Sequence, residues 1–152
     1  LWSIGDDSWI LDDQGEHIFK VNGKALRIRR TLVIEHRDGG ELFKIQERKL
    51  HIKETMAIET PEGATAATVK AKLISPIRHR MVAELADGTE YDVTGNILDH
   101  EYEIKNDKQL VATVSKKWIR VRDTYGIEIM PGFGEALILA IAVCLDSMVG
   151  DD

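Results

Sequence analysis

The residues of this sequence best suited to a chemical task are closely spaced arginines and lysines. Such side chains bind phosphate and other anions, and the guanidinium of Arg does so with two parallel hydrogen bonds. Side chains two positions apart project from the same face of a β-strand, so each pair presents two positive charges together. The predicted anion-binding residues, suited to phospholipid or phosphoinositide head groups, are Arg27, Arg29, Arg30, Lys70, Lys72, Arg78, Arg80, Arg120 and Arg122.

The alternative interpretation of these basic residues is an ordinary solvent-facing surface. Lys and Arg are common on exposed strand faces, and Glu35, Glu47, Glu84 and Glu101 are interleaved with them along the chain. The whole chain is acidic, with 20 Lys and Arg against 26 Asp and Glu and a formal net charge of -6. Nucleic-acid binding requires a local excess of positive charge. We therefore expect no nucleic-acid partner.

The other chemically capable residues match no catalytic or metal-binding pattern. The five histidines are isolated from one another, unlike the ligands of a zinc site. The acidic turn over residues 12–16 does not fit the ligand positions of an EF-hand calcium loop. Gly132-Phe133-Gly134 is not followed by the Lys and Ser or Thr of a P-loop. Cys144, the single cysteine, lies in an apolar segment that keeps a thiol inert. We expect no catalytic residue, metal or cofactor.

The elements that must carry these residues are short alternating segments joined by turns. Apolar and polar residues alternate on both sides of turns rich in Asp, Asn and Gly, which is typical of β-hairpins. The turn glycines Gly15, Gly40, Gly63 and Gly88 follow one another at intervals of 23 to 25 residues. This pattern predicts about a dozen strands, the last over residues 125–130, in a sandwich or a barrel.

The C-terminal segment breaks the alternation and predicts one helix over about residues 134–149. Residues 136–145 are apolar on every side, so this helix must lie in a protein core or in a membrane. A membrane-spanning helix needs about 20 apolar residues, so we expect a core helix and no transmembrane helix. Its insertion as a membrane anchor is a weaker alternative. Asp146, directly after the apolar run, is expected to be solvated or paired with a base in a structural role.

A barrel explains where such a helix could lie. A ring of about eight strands is filled by its own side chains, whereas a larger ring has room for a helix about 10–12 Å across. We therefore predict an all-β fold, a closed or nearly closed barrel of about twelve mostly antiparallel strands around one buried C-terminal helix.

Several segments, taken in order, resemble the LURP-one-related family of the tubby C-terminal-like superfamily, which also contains the phospholipid scramblases. The segments are Ser3–Asp6 with Trp9-Ile10, Val21–Lys24, Gly95–Ile104, Ser115–Trp118, Asp123–Ile129 and Cys144–Met148. The resemblance covers nearly the whole chain and implies a barrel of about twelve strands around a C-terminal helix. Because tubby members resemble phosphoinositide-binding regulators and scramblases are membrane-associated, it also implies a regulatory or membrane-associated role. It transfers no catalytic residue.

These observations together predict one domain over residues 1–152 that acts as a non-enzymatic protein-interaction, regulatory or structural module. A barrel filled by its own helix leaves little volume for a ligand, which favours an unknown protein partner. Peripheral binding of anionic lipid through the basic pairs is the alternative. One cysteine allows no intramolecular disulfide, and the first residues do not resemble a signal peptide. We expect a cytoplasmic location, with a membrane-peripheral one as its variant.

Overall fold

The computed structural model of the protein describes residues 1–5, 7–23, 31–47, 55–75, 78–119 and 124–149, with side chains except at 72–75, 78, 79 and 149. These residues form twelve strands and one helix. In chain order they are β1 (Trp2–Ile4), β2 (Trp9–Leu11), β3 (His17–Gly23), β4 (Thr31–His36), β5 (Glu41–Glu47), β6 (Thr55–Glu59), β7 (Thr65–Ser75), β8 (Arg78–Leu85), β9 (Glu90–Asn96), β10 (Glu101–Asn106), β11 (Gln109–Ser115), β12 (Tyr125–Ile129) and α1 (Glu135–Val149).

The strands form a closed antiparallel barrel in simple chain order. Each strand pairs with the next, and β1 closes the ring on β12, with Trp2 opposite Ile127 and Ile4 opposite Tyr125. The barrel predicted from the hairpin pattern is therefore confirmed. Closure pairs both sides of every described strand, so the ring offers no free sheet edge to another chain.

Two of the predicted hairpin turns contain a glycine with a left-handed backbone. Gly88 has φ 90, and its N–H donates to the carbonyl of Leu85 at 3.0 Å, which closes the tight turn between β8 and β9. Between β4 and β5 the left-handed residue is Gly39, with φ 96, and its neighbour Gly40 is not among the positive-φ residues. Gly88 and Gly39 therefore occupy a left-handed conformation in which a side chain would be strained.

The helix α1 occupies the interior of the barrel. Every residue from Ile138 to Leu145 is buried, and none is more than 7 % exposed. The helix contacts β5, β6, β7 and β12, which lie on different sides of the ring. A helix that is apolar all round is therefore enclosed all round, as predicted. Among the described residues, no helix combines the length and apolar character needed to cross a membrane.

The two ends of the barrel are distinguished by the ends of α1. At the helix N-terminal end, the Trp2 indole donates to Glu135 at 3.1 Å, and Phe133 packs edge-on against Tyr91 with ring centres 6.4 Å apart. The carboxylate of Glu135 also suits the positive end of the helix dipole. At the helix C-terminal end, Asp146 contacts His100.

Candidate functional site

The structure describes the side chains of only two of the predicted anion-binding residues, Lys70 and Arg80. On the backbone, Lys72 lies directly opposite Arg80 in the β7–β8 register, and Ser75 lies opposite Arg78. Opposite residues in an antiparallel pair share a sheet face. Five predicted residues lie outside the described residues, so their role in anion binding stays a prediction. They are Arg27, Arg29, Arg30, Arg120 and Arg122.

Lys70 and Arg80 both pair with carboxylates. Lys70 Nζ forms an ion pair with Glu84. Arg80 Nη2 lies 3.2 Å from Glu90 Oε1, and Arg80 Nε lies 3.2 Å from Asp92 Oδ1. These side chains are 33–40 % exposed. An incoming anion would therefore have to compete with carboxylates already in place.

A groove crosses the outer wall of the barrel over β9, β10 and β11. Tyr102 and Ile104 are buried in the core, so Glu103 between them faces outward. Thr94 and Thr113 lie directly opposite Glu103 on the two neighbouring strands. The groove encloses about 500 Å³. We call it the Trp118 groove, and its lining is Thr94, Gly95, Glu101, Tyr102, Glu103, Thr113, Val114, Ser115, Lys117 and Trp118.

Gly95 sets the shape of this groove at the β9–β10 contact. Its φ is 122, in a region that favours glycine. A Cβ at this position would lie 2.6 Å from the carbonyl oxygen of Glu101 and 2.8 Å from the Cα of Tyr102. Both atoms belong to the backbone of β10, so the two strands can approach this closely only because residue 95 has no side chain.

Glu101 holds the turn that presents Trp118. The hydroxyl of Ser115 donates to Glu101 Oε2 at 2.8 Å, and the backbone N–H of Lys116 donates to Oε1 at 3.1 Å. The Lys117 N–H in turn donates to the Ser115 hydroxyl at 3.0 Å. The Ser115 hydrogen bond is the main cause that lowers the pKa of the Glu101 carboxyl, since it stabilises the charged form. The carboxylate thus anchors the start of the segment after β11.

Trp118 and the carboxylates of the groove can together bind cationic and apolar groups. Trp118 is 42 % exposed, and a Trp face attracts cations and apolar groups. Glu103 Oε1 lies 3.5 Å from Lys105 Nζ, and about 44 % of its side chain is exposed. Glu101 and Glu103 can accept hydrogen bonds from basic side chains, whereas Lys117 brings a positive charge to the same groove.

A second polar cluster lies at the helix C-terminal end of the barrel. His100 Nε2 lies 2.7 Å from Asp146 Oδ1, so Asp146 is paired with a base, one of the two predicted alternatives. The His100 ring stacks on Tyr125 with centres 4.0 Å apart and planes 14° apart. Burial is the main cause that raises the pKa of both Tyr102 and Tyr125. Within the described ranges, no cluster of three or more His, Cys, Asp and Glu side chains is placed to hold a metal ion.

Both features escaped the sequence analysis because they join residues from separate elements. His100 and Asp146 are 46 residues apart, and although each lies in a segment that resembles the family, nothing in either segment pairs them. The one available signal for the groove was the sequence Ser115–Trp118, in which an aromatic residue follows two lysines in a turn. In the sequence this string was one of the segments that resemble the family, and it was not predicted to form a binding site.

Comparison with known proteins gives one family match. The family model described as LURP-one-related matches residues 1–146. No curated protein and no solved structure matches the chain significantly. The matched range includes all residues that line the Trp118 groove as well as His100 and Asp146.

Proposed function

Because this chain belongs to the LURP-one-related family, we propose that it is a non-enzymatic binding module that recognises a protein partner through the outer wall of its barrel. The observation that carries the proposal is the position of α1. Residues Ile138 to Leu145 fill the interior and are buried there, so the long wall of the ring is the largest surface left for recognition. We expect the module to work in the cytoplasm, because a single cysteine cannot form an intramolecular disulfide and so gives no reason to place the chain in an oxidising compartment.

The Trp118 groove is the part of the wall best suited to this role. Tryptophan is enriched among the few residues that supply most of the binding energy in protein interfaces. Trp118 is one of the large apolar side chains that are exposed in the described structure. The concave surface beside it gives a partner side chain room to become buried, which a flat strand face does not.

Charge favours a partner segment that carries Lys or Arg. Glu101 and Glu103 line the groove, and the chain as a whole has a formal net charge of -6. Complementary charge steers association and selects among partners. A basic side chain of the partner could lie over the Trp118 ring and donate to Glu103, which it would share with Lys105.

A peptide-display selection against the folded protein tests this proposal. We expect selected peptides to be enriched in Lys and Arg, and their affinity to fall at least tenfold with Trp118→Ala, because truncating a central interface tryptophan costs about 2 kcal/mol or more. Glu103→Lys should weaken binding as well, whereas Lys117→Glu should strengthen it.

The matched control is Leu98→Ala. Leu98 is 63 % exposed and lies in the turn between β9 and β10, outside the groove lining. Its truncation should leave peptide affinity unchanged. Selected peptides that bind the wild type and Trp118→Ala equally well would contradict the proposal.

Binding to an anionic lipid surface is the second candidate function, as a peripheral membrane association. It is favoured by the exposure of three consecutive residues, Lys116, Lys117 and Trp118. Basic residues near an anionic membrane contribute about 1 kcal/mol each, and tryptophan is enriched at the membrane–water interface. Lys70 and Arg80 would contribute less, because carboxylates already pair with them.

Co-sedimentation with vesicles of graded anionic lipid and phosphoinositide content, at low and physiological salt, tests this candidate. Lipid binding predicts that Lys117→Glu loses at least about fivefold in affinity and that Glu103→Lys gains affinity, the reverse of the peptide result. Arg27→Glu with Arg29→Glu, a double substitution outside the described residues, tests the predicted basic pair. Sedimentation that does not change with salt or with anionic lipid content would exclude this candidate.

A further inference from the structure

An apolar patch lies on the outer wall of the barrel, over Gly126 in β12. The two neighbours of Gly126 in this strand are buried in the core, so Gly126 itself faces outward. Three apolar side chains meet above it. A Cβ at this position would lie 3.2 Å from Leu1 Cδ1, 3.2 Å from Trp118 Cε3 and 3.4 Å from Ile119 Cγ1. We call the surface formed by these four residues the Gly126 patch.

The Gly126 patch is accessible to a partner although it is apolar. Leu1 is 43 % exposed and Trp118 is 42 % exposed, and Ile119 is half-buried. Leu1 and Trp118 are two of the three large hydrophobic side chains that are exposed among the described residues. Single exposed apolar residues are ordinary, whereas adjoining ones mark interaction sites.

Trp118 connects the Gly126 patch to the Trp118 groove. Its side chain lines the groove, and the Cε3 atom of its ring lies against Gly126. Leu1, Ile119 and Gly126 do not belong to the groove lining. A partner segment that covers the Trp118 ring would therefore contact both surfaces, and the patch extends the groove toward the strand pair that closes the ring.

Two carboxylates lie beside the patch and determine which partner suits it. Glu128 follows Gly126 by two residues in β12, so both face outward, about 7 Å apart. Thr113 lies directly opposite Glu128 on one side and Glu103 on the other. Glu128 is exposed, and no cationic side chain of the described ranges pairs with it. These carboxylates would repel an anionic membrane and attract a basic protein segment.

The closed ring determines how such a segment can bind. Both sides of every described strand are already paired, so a partner strand cannot be added to the sheet. The segment must therefore be held by its side chains. In an extended segment, side chains two positions apart project to the same side and lie about 7 Å apart. This is also the spacing between Gly126 and Glu128.

We propose that the partner segment is extended and carries a large apolar side chain that packs on the Gly126 patch, with an Arg or Lys two positions away that reaches Glu128 and Glu103. The inference rests on the proposed function, since it names the chemistry of the partner at that same surface. It adds the apolar contact and its spacing from the basic residue, neither of which the groove alone requires.

The sequences selected by peptide display against the folded protein give the first test. We expect a large aliphatic or aromatic residue two positions from the selected Lys or Arg. Selection of Lys and Arg without an apolar residue at this spacing overturns the inference and leaves the proposed function standing. Selection of peptides that lack Lys and Arg contradicts the proposed function itself, and this inference with it.

A double-mutant cycle between peptide and protein locates the apolar contact. Replacing the apolar residue of a selected peptide with alanine should weaken its binding to the wild type at least about fivefold. Ile119→Ala truncates the patch without changing the groove lining. It should weaken the parent peptide about threefold and leave the alanine peptide unchanged. Equal losses for the two peptides would place the apolar residue elsewhere and overturn the inference.

Gly126→Ala tests the shape of the patch by a second route. The three atoms nearest to the added Cβ all belong to side chains, and Gly126 is not among the positive-φ residues. The variant should therefore fold, as thermal unfolding would show, with the Trp118 and Ile119 side chains displaced. We expect it to weaken the parent peptide more than the alanine peptide.

Two further variants complete the comparison. Glu128→Gln should weaken peptides that keep their Lys or Arg about threefold, the usual size of an exposed charge pair. Leu98→Ala, which is exposed and outside the groove lining, should leave every peptide unchanged. If Trp118→Ala weakens binding while folded Ile119→Ala and Gly126→Ala do not, the groove binds its partner without the Gly126 patch, and the inference is overturned.

Discussion

Replacing Gly95 with alanine is expected to lower the free energy of unfolding by roughly 2–6 kcal/mol, the sum of backbone strain and of crowding at a packed site. The backbone there has φ 122. The added Cβ would lie 2.6 Å from the carbonyl oxygen of Glu101 and 2.8 Å from the Cα of Tyr102. Neither contact can be relieved by rotating a side chain, so β9 and β10 would have to separate.

Gly88→Ala is the matched control for this substitution. Gly88 also has a left-handed φ, of 90, but a Cβ there meets no atom of the described residues within 4 Å. It should therefore show only the conformational cost of about 1–2 kcal/mol. Urea unfolding of both variants gives the comparison. Equal losses for Gly95→Ala and Gly88→Ala would contradict the close strand approach that shapes the Trp118 groove.

Truncation of Ile141 is expected to cost about 2–5 kcal/mol of stability, because it removes buried methylene groups and leaves a cavity. Ile141 is fully buried in the middle of α1. The closed hydrogen-bonded ring limits how far the surrounding strands can move inward to fill the space. Ile141→Ala should therefore fall toward the upper part of this range.

Leu98→Ala serves as the control, since this side chain is 63 % exposed, and surface truncations usually change stability by less than about 0.5 kcal/mol. The midpoints of denaturant unfolding give the difference in stability between the two variants, provided that the unfolding free energy depends on denaturant concentration with the same slope in both. If Ile141→Ala were no less stable than Leu98→Ala, α1 could not be the core of the barrel.

The strands and the helix were predictable because their signals are local. A turn such as the one at Gly88 and the alternation beside it lie within about ten residues, which is the range over which hairpin patterns act. The apolar run from residue 136 to residue 145 excluded a surface helix, and its length separated a core position from a membrane. The number of strands and the enclosed helix followed from these two observations, and the structure confirms both.

The sites were less predictable because they depend on residues that meet only across strands or across the barrel. Alternation along a strand predicts that Lys70 and Arg80 lie on the outer surface, but Glu84 and Glu90 lie on that surface as well. Strand pairing, which the sequence does not show directly, decides that these charges become partners. The Trp118 groove depends in the same way on register, since Thr94 and Thr113 lie beside Glu103 only in the folded sheet.

The cluster of His100, Asp146 and Tyr125 depends on contacts that are more distant still. Asp146 meets His100 across 46 residues of sequence, and Tyr125 comes to lie beside both through the pairing of β12 with β1 and β11. No periodicity in the sequence links these three positions. The place of Asp146 after the apolar run predicted only that it is either solvated or paired with a base, and it did not identify His100 as the partner.

An amide NMR titration of the protein with a display-selected basic peptide is the direct test of recognition on the outer wall. We expect saturable shifts concentrated at the Trp118 groove, on Glu103, Thr113 and the Trp118 indole, with the signals of Ile138–Leu145 unchanged. Shifts centred on the helix, or spread evenly over the barrel, would contradict the claim that this module recognises its partner on the outer wall.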